Sequence, residues 1–312
     1  MRRAALLLGA TAGAAAGGVA VAHRRWAAAV DPTDGAPLGV PDGESVSVQA
    51  EDGATLVATV AGPADGHTFV LVHGWTHDRR IWGAVARRLI DRGHRVVAYD
   101  QRGHGESTIG ARGLSMDALA QDMGTVLQAV DAHDVVLVGH SMGGMAAQAF
   151  ALNHPETLRL RVAAIAMVST ACDGMARVNR ALGPFVDRSI ADRALGVRVL
   201  APLLTRTSVG RTAHLGHLRA IRDLFVATPP SVRRQLRAAI NTMDYSEQLA
   251  DIQVPVHILT GRRDGIVPHA RSKRIAHLLE SAQLHVFADA GHMLPWEAPD
   301  EVVDVLVGIP NA

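Results

Sequence analysis

The feature that most restricts the fold of this chain is a repeated alternation between short, almost entirely apolar runs and longer amphipathic segments. The apolar runs cover residues 68–73, 95–100, 135–140, 162–169 and 256–260. Strands that are buried on both faces of a parallel sheet have this composition. The intervening segments 79–91, 115–130 and 142–153 have the apolar spacing of helices. The alternation predicts an α/β fold with a mostly parallel, doubly wound sheet.

Two further patterns complete the predicted architecture. Residues 45–49 and 55–60 alternate in polarity around Glu51-Asp52-Gly53, which predicts an N-terminal antiparallel hairpin. Residues 171–247 contain no convincing strand and have helical apolar spacing instead. We therefore expect a helical cap inserted after the sixth strand, over the carboxyl edge of the sheet. The core of the domain would then comprise residues 44–170 and 248–312.

The first 43 residues differ from the rest of the chain. An uncharged, Ala- and Gly-rich run from Ala4 to Ala22 lies between two basic clusters, and Ala20-Val21-Ala22 has the small-x-small pattern of a cleavage site. Residues 1–25 are therefore predicted to be a signal peptide or membrane anchor, which would export the protein or attach it to the cell envelope. The alternative is a disordered, low-complexity tail. The Pro- and Gly-containing residues 26–43 are predicted to be a linker.

Composition excludes few functions but argues against some. A formal net charge of +1 gives no reason to expect nucleic acid as a partner. The single cysteine, Cys172, cannot form an internal disulfide. The sequence contains no recognisable metal-binding motif, so no metal or cofactor is predicted. The sequence does not indicate the oligomeric state.

One short motif carries the chemistry. Gly139-His140-Ser141-Met142-Gly143 follows a predicted buried strand and opens a predicted helix, which is the setting of a Gly-x-Ser-x-Gly nucleophile elbow. The elbow lifts a serine hydroxyl clear of the sheet, and the two glycines allow strand and helix to approach closely. Ser141 is therefore the predicted nucleophile.

A serine hydroxyl needs a base to take its proton, and the base needs an acid to orient it. Asp264 follows the strand at 256–260, and His292 follows a further predicted strand at 284–287. Both therefore belong to the same edge of the sheet as Ser141 and are predicted to complete a triad. Asp173, just beyond another strand, is the alternative acid.

Two backbone amides are candidates for the oxyanion hole that stabilises the charge of a tetrahedral intermediate. One is the N–H of Met142, which follows the nucleophile. The other is the N–H of Trp75, in the His73-Gly74-Trp75 segment after the first central strand. The Trp75 ring is expected to pack beneath the cap, whereas His73 is expected to be structural.

Taken together, the elbow, Asp264, His292, the segment 71–75 and the segment Tyr99-Asp100-Gln101-Arg102-Gly103-His104-Gly105-Glu106-Ser107 resemble the serine-nucleophile branch of the α/β-hydrolase superfamily. The resemblance extends over residues 44–308. It implies the α/β-hydrolase fold, a cofactor-free mechanism and a structural role for the 100–107 loop. Epoxide hydrolases and haloalkane dehalogenases of this superfamily need an aspartate at the elbow, so Ser141 argues against both.

The resemblance implies a serine hydrolase, most simply an esterase or lipase that forms an acyl-enzyme on carboxylic esters. A haloperoxidase-like perhydrolase or a carbon–carbon bond hydrolase would use the same triad, and a non-catalytic ligand receptor could retain it. Between Asp173 and Ser246 the sequence has 12 Arg, no Lys and 5 Asp. These Arg residues are expected either to coat solvated helix faces or to draw anionic lipid surfaces and carboxylate-bearing esters towards the cleft. The second interpretation, together with the predicted export or anchoring segment, makes a small-molecule or lipid ester the expected substrate and a membrane surface a candidate partner.

Overall fold

The computed structural model describes residues 18–176, 201–211 and 214–310. Its centre is an eight-stranded sheet with the strand order β1-β2-β4-β3-β5-β6-β7-β8. The strands are Glu44–Gln49 (β1), Thr55–Ala61 (β2), Thr68–Val72 (β3), Arg95–Tyr99 (β4), Val135–His140 (β5), Val162–Val168 (β6), Val256–Gly261 (β7) and Gln283–Phe287 (β8). Strands β1 and β2 form the predicted antiparallel hairpin, β2 pairs antiparallel with β4, and all other pairings are parallel. The predicted sheet is therefore confirmed.

Helices lie on both faces of this sheet. Their bounds are Gly83–Asp91 (α1), Met116–Ala129 (α2), Met142–Asn153 (α3), Pro155–Arg161 (α4), Ala201–Leu204 (α5), Leu215–Ala227 (α6), Pro230–Thr242 (α7), His269–Leu278 (α8), Leu294–Glu297 (α9) and Pro299–Val307 (α10). The predicted helix 79–91 begins with a 3₁₀ turn, Arg79–Trp82, before it becomes α-helical. The Ser115 hydroxyl caps α2 by accepting the Ala118 N–H at 3.1 Å, as the sequence predicts.

Burial of both sheet faces explains why the central strands are apolar along their whole length. One core packs α2 and α3 on one face of the sheet and includes Leu137, Met145 and Phe150. The other packs α1 and α10 on the opposite face and includes Val138 and Leu89. Neighbouring residues of β5 thus enter opposite cores, because successive side chains of a strand point to opposite faces.

The described residues between β6 and β7 include α5, α6 and α7 together with turns and an isolated β-bridge between Asp173 and Asp244. Both α6 and α7 contact Trp75, in the loop that follows β3. Residues 177–200 of the predicted cap lie outside the described residues. Helix α7 contributes Leu236 and Ile240 to the first core, whereas α6 contributes Leu218 and Leu224 to the second. The cap therefore continues both cores beyond the sheet.

The predicted linker packs against the domain at residues 31–39. Thr33 is buried, and its carbonyl oxygen accepts a hydrogen bond from Arg87 of α1. Arg88 donates to the carbonyl of Pro32 at 3.0 Å, and the Gly39 N–H donates to the carbonyl of Arg80 at 3.1 Å. Residues 18–27 upstream are helical.

The predicted signal peptide or membrane anchor, residues 1–25, lies largely outside the described residues. Within the part of the chain that the structure describes, no helix combines the length and the apolar character needed to cross a bilayer.

Candidate active site

Ser141 lies in a sharp turn between β5 and α3. Its backbone has φ 54° and ψ −117°, a conformation that side-chain-bearing residues rarely adopt. The turn is held by hydrogen bonds: the Ser141 N–H donates to the Val168 carbonyl at 2.8 Å, and the Thr170 hydroxyl donates to the Ser141 carbonyl at 2.7 Å. Strain that the surroundings enforce in this way is typical of functional sites.

Two glycines of the elbow are required by close backbone approach. A Cβ on Gly139 would lie 2.6 Å from the carbonyl oxygen of Gly143, and a Cβ on Gly143 would lie 2.5 Å from that of Val72. Any side chain at either position would push helix α3 away from the sheet. The structure therefore agrees with the role that the sequence predicts for Gly139 and Gly143.

His292 and Asp264 lie on loops that follow β8 and β7 respectively. His292 Nδ1 is 2.8 Å from Asp264 Oδ2, and both side chains are buried. The other carboxylate oxygen, Asp264 Oδ1, accepts the N–H groups of Ile266 and Val267, each at 2.8 Å. These two bonds fix the carboxylate so that Oδ2 remains directed at the imidazole.

The elbow and the histidine loop meet through His140. The rings of His140 and His292 have centroids 4.7 Å apart, and His140 Nε2 is 2.9 Å from the His292 carbonyl oxygen. Among the hydrogen bonds of the described residues, none joins the Ser141 hydroxyl to the His292 ring. His140, which immediately precedes Ser141, thus holds the backbone of His292 beside the elbow.

Asp173, the alternative acid, is engaged elsewhere. Its carboxylate accepts a hydrogen bond from Arg271 at 2.6 Å and lies 3.6 Å from Arg274. Asp264, not Asp173, is the carboxylate bonded to His292.

The loop after β3 passes directly against the elbow. A Cβ on Gly74 would lie 3.0 Å from both Ser141 Cβ and His140 Nδ1. The Trp75 N–H donates none of the hydrogen bonds found among the described residues, and the Met142 N–H, at the first position of α3, has no carbonyl partner within the helix. Both predicted oxyanion donors therefore lie on backbone that borders Ser141.

Trp75 and His73 also behave as expected from the sequence. The Trp75 indole N–H donates to the Arg233 carbonyl at 3.2 Å, and its ring packs edge-on against Phe225 of α6. His73 is buried, with Nδ1 2.8 Å from the Gly74 carbonyl, and its Nε2 accepts the Gln101 N–H at 2.9 Å. Trp75 thus connects the site to the cap, and His73 connects it to the 100–107 loop.

The 100–107 loop is held by hydrogen bonds beside the site, in agreement with its expected structural role. The carboxylate of Asp100 accepts the Arg79 N–H at 2.7 Å and the Glu106 N–H at 2.9 Å. The Arg79 guanidinium pairs with both Asp100 and Glu106. The Ser107 hydroxyl donates to the Asp100 carbonyl at 2.6 Å.

The imidazoles that surround the site are held in the neutral form. Burial lowers the pKa of His140 and of His77 well below the usual value, and it lowers that of His104 to about 3. The rings of His77 and His140 are stacked, with centroids 5.5 Å apart. At neutral pH these rings therefore bring no positive charge next to His292.

Sequence reasoning missed Glu297, the last residue of α9. Its buried carboxylate accepts three backbone N–H groups: Gly291 at 3.0 Å, Met293 at 3.1 Å and Gly210 at 2.5 Å. Burial raises its pKa to about 7, although these three hydrogen bonds act in the opposite direction. Glu297 thereby fixes the backbone on both sides of His292 and connects it to the cap. Its one sequence signal is an isolated acid in the apolar run 293–298.

A cavity of about 760 Å³ lies between the cap and the 100–109 loop. Ser141 and His292 are not among its lining residues, but His77, whose ring stacks on that of His140, is one of them. Leu224 and Val232 of the cap line one side, and the paired charges of Arg79 and Asp100 line another. The cavity is therefore a compartment beside the elbow, roofed by α6 and α7.

Comparison with known proteins identifies the family. The sequence model of the alpha/beta hydrolase family matches residues 69–305. A bifunctional esterase/perhydrolase of Acinetobacter calcoaceticus is 28% identical over 274 residues, which are 80% of this chain and 93% of that protein. A non-heme chloroperoxidase of Kitasatospora aureofaciens is 27% identical over 248 residues, covering 73% of this chain and 85% of that protein.

Among solved structures, an esterase from Exiguobacterium antarcticum superposes with a TM-score of 0.75 at 22% identity. The match covers 85% of this chain and 98% of that one, and at this identity it supports the fold. The family model, the relatives and the sheet topology agree, and the chain belongs to the alpha/beta hydrolase family of enzymes.

Proposed function

We propose that the protein is a serine hydrolase that cleaves carboxylic esters, with Ser141 as nucleophile, His292 as general base and Asp264 as the acid that orients it. The observation that carries the proposal is the hydrogen bond of 2.8 Å between His292 and Asp264. The loop that carries His292 is in turn bonded through its backbone to His140, the residue before the strained Ser141 turn. A buried Asp–His pair beside a serine in a strained turn is the arrangement that activates a hydroxyl.

The first half of the reaction forms an acyl-enzyme. His292 Nε2 takes the proton of the Ser141 hydroxyl while the hydroxyl oxygen attacks the ester carbonyl. For this proton transfer, His292 Nε2 and Ser141 Oγ must come within about 2.6–3.2 Å of each other. The negative charge on the former carbonyl oxygen is stabilised by the N–H groups of Met142 and Trp75. Collapse of the tetrahedral intermediate breaks the bond to the alkoxy group, which receives the proton from His292.

The second half releases the acid. Water donates a proton to His292 and attacks the acyl carbon, and Ser141 leaves with that proton. Asp264 holds Nδ1 of His292 in the protonated tautomer, so that Nε2 is free to act as base. We further propose that Glu297 is a positioning residue, because its three hydrogen bonds set the backbone around His292.

The substrate class follows from the cap in this proposal. The apolar surface of Leu224 and Val232 favours an acyl or alkyl chain in the cavity beside the elbow. An ester of a fatty acid or lipid is therefore the proposed substrate, and the basic cap supports approach to an anionic lipid surface. Export or membrane anchoring through residues 1–25 stays a prediction.

The test is turnover of p-nitrophenyl esters of rising acyl length by the purified protein and by Ser141→Ala. We expect the wild type to prefer chains longer than acetate, and the variant to lose at least about four orders of magnitude in kcat/KM. Circular dichroism of the variant should be unchanged. A fluorophosphonate probe should label the wild type and not the variant. Full activity in Ser141→Ala would refute the nucleophile, and a preference for acetate would refute the lipid substrate.

A second candidate is perhydrolysis, which the bifunctional relative favours. In this reaction hydrogen peroxide replaces water in the second half, so that the acyl-enzyme yields a peracid and the same triad returns to its starting state. Incubation with acetate and hydrogen peroxide, followed by measurement of peracetic acid, tests it directly. No peracid above the Ser141→Ala background would leave hydrolysis as the proposed reaction.

A further inference from the structure

Away from the elbow, a carboxylate and two imidazoles meet where the N-terminal segment crosses the beginning of α6. Asp31 Oδ1 is 2.9 Å from His217 Nε2, and Asp31 Oδ2 is 3.3 Å from His214 Nδ1. The three ligand-type atoms all lie within 4.8 Å of one another. None of the three residues takes part in the proposed reaction, so their convergence needs a separate explanation.

His214 and Asp31 are in contact without a hydrogen bond to each other among the described residues. Asp31 Oδ2 lies 3.3 Å from His214 Nδ1 and accepts the Gly35 N–H at 3.1 Å. His214 Nδ1 accepts the N–H of Gly216 at 3.2 Å and thereby caps helix α6. An imidazole nitrogen has one lone pair, so coordination of a cation by His214 Nδ1 would replace this capping hydrogen bond.

The carboxylate of Asp31 is held in place by hydrogen bonds from its own turn. Oδ1 accepts the N–H and the hydroxyl of Thr33, at 2.9 and 2.6 Å, and Oδ2 accepts the N–H of Gly35 at 3.1 Å. These bonds keep both carboxylate oxygens directed towards the two imidazoles.

We propose that Asp31, His214 and His217 bind one divalent transition-metal ion, for which Zn²⁺ is the best match, with its remaining coordination positions open to solvent. Two imidazoles and a carboxylate form a common ligand set of Zn²⁺. Bonds of about 2.0–2.2 Å place tetrahedral ligand atoms about 3.3 Å apart. The separations of 2.9 and 3.3 Å from the Asp31 oxygens fit that geometry after small side-chain adjustments.

The ion would fasten the N-terminal segment to the cap. Asp31 belongs to the segment that packs on α1, whereas His214 caps α6 and His217 lies in its first turn. Helix α6 also carries Phe225, which packs against Trp75. The ring of His217 packs against Trp296, with centroids 5.6 Å apart. The proposed metal is therefore structural, and its effect on the site is exerted through the position of α6.

The outer surroundings of the ligands set the expected affinity. The Thr33 hydroxyl orients the Asp31 carboxylate, as a second-layer partner does in metal sites. His217 Nδ1, however, is buried and has no hydrogen-bond partner among the described residues. Loss of such a partner typically weakens metal binding by about 10–100-fold. We therefore expect a dissociation constant in the micromolar range rather than far below it.

The experiment is titration of the EDTA-dialysed full chain with ZnCl₂ by calorimetry in a non-chelating buffer. We expect one site per chain with a micromolar dissociation constant, and a rise in Tm of several degrees on addition of Zn²⁺. Asp31→Asn, which keeps the size of the side chain and removes its charge, should weaken binding at least tenfold. X-ray absorption of the Zn²⁺-loaded wild type should show two imidazoles at the ion.

A matched control comes from another close pair of imidazoles. His257 Nδ1 and His285 Nε2 are 3.2 Å apart on neighbouring strands, so His285→Ala tests adventitious zinc binding to histidines. This variant should bind Zn²⁺ like the wild type. Absence of a site in the wild type, equal affinity in Asp31→Asn, loss of binding in His285→Ala, or a single imidazole at the ion would each overturn the proposal. None of these readouts depends on ester hydrolysis.

Discussion

Two Asp–His pairs of nearly equal length occur in this molecule and differ in almost every other respect. His292 and Asp264 are 2.8 Å apart, and His217 and Asp31 are 2.9 Å apart. In the first pair the imidazole uses Nδ1 and the loop that carries it contacts the elbow of Ser141. In the second pair the imidazole uses Nε2, and the carboxylate faces a second imidazole. We propose that the same contact supports acyl transfer in one place and metal binding in the other.

The carboxylates show the reason for the difference. Asp264 uses one oxygen for two backbone N–H groups of its own loop and leaves the other for His292 alone. Asp31 also accepts backbone N–H groups, from Thr33 and Gly35, but it directs one oxygen to His217 and the other to His214. A carboxylate that contacts a single ring fixes the tautomer of that ring, whereas one that contacts two rings brings three metal-ligand side chains together. The role of an Asp–His pair is therefore indicated by the groups around it, and not by the distance between the carboxylate oxygen and the imidazole nitrogen.

The largest expected effect concerns the first pair. Asp264→Asn should lower kcat for ester hydrolysis by about 10⁴-fold, because the amide no longer stabilises the tautomer in which Nε2 is a base. Steady-state kinetics at neutral pH measure the loss. If Asp264→Asn kept more than a tenth of the wild-type kcat, the two Asp–His pairs would no longer differ in function.

The next effect concerns the carboxylate that supports His292. The folded chain keeps the Glu297 proton up to about pH 7, whereas an unfolded chain loses it near 4.5. Glu297 therefore lowers the free energy of unfolding as the pH rises from about 4.5 to 7, and the neutral Glu297→Gln variant lacks this dependence. Relative to Glu297→Gln, the free energy of unfolding of the wild type should fall by on the order of 2 kcal/mol over this pH range. Urea denaturation at pH 5 and 7.5 measures it, and a pH-independent difference would contradict the raised pKa.

A smaller effect is expected when the pair of Asp31 and His217 is broken in the absence of metal ions. In EDTA, Asp31→Asn should lower the free energy of unfolding by about 1–2 kcal/mol, because it weakens charge-assisted hydrogen bonds to Thr33 and His217. Thermal and urea denaturation measure this change. The kcat of Asp31→Asn for ester hydrolysis should be less than tenfold below that of the wild type. A loss as large as that of Asp264→Asn would mean that the cap position, and not the local chemistry, dominates turnover.

The smallest effect is expected for Asp173, the acid that the structure leaves out of the site. Asp173→Asn removes partly exposed ion pairs with Arg271 and Arg274, and such pairs contribute about 0–1 kcal/mol. Its ester turnover should remain within about twofold of the wild type, which makes it the matched control for Asp264→Asn. A severe loss of kcat would instead assign Asp173 a part in the reaction.

Much of the sheet and of the site follows from local sequence. Apolar runs report burial on both faces, so β3 to β7 are predicted within about one residue of their observed ends. The elbow is also local, because Gly139, Ser141 and Gly143 form one turn whose backbone contacts require those residue types. Asp264 and His292 follow from the rule that carboxyl ends of parallel strands share one edge.

Other features depend on contacts between segments far apart in the sequence. Glu297 binds backbone on the histidine loop and on the cap, 87 residues away, and an isolated acid in an apolar run does not identify those partners. Asp31 is 186 residues from His217, and the predicted linker around it gave no sign that it would pack on a cap helix.

The sequence alone determined the layered α/β architecture and the chemical character of the elbow, because hydrophobic periodicity and glycine geometry act over a few neighbouring residues. The tertiary structure decided which acid pairs with His292, how Glu297 and His140 hold the histidine loop, and which distant side chains form the Asp31–His214–His217 group. Those outcomes depend on where packing brings loops and the cap together. A hydrogen bond of about 2.8 Å is formed or lost by shifts of an ångström that no local pattern encodes.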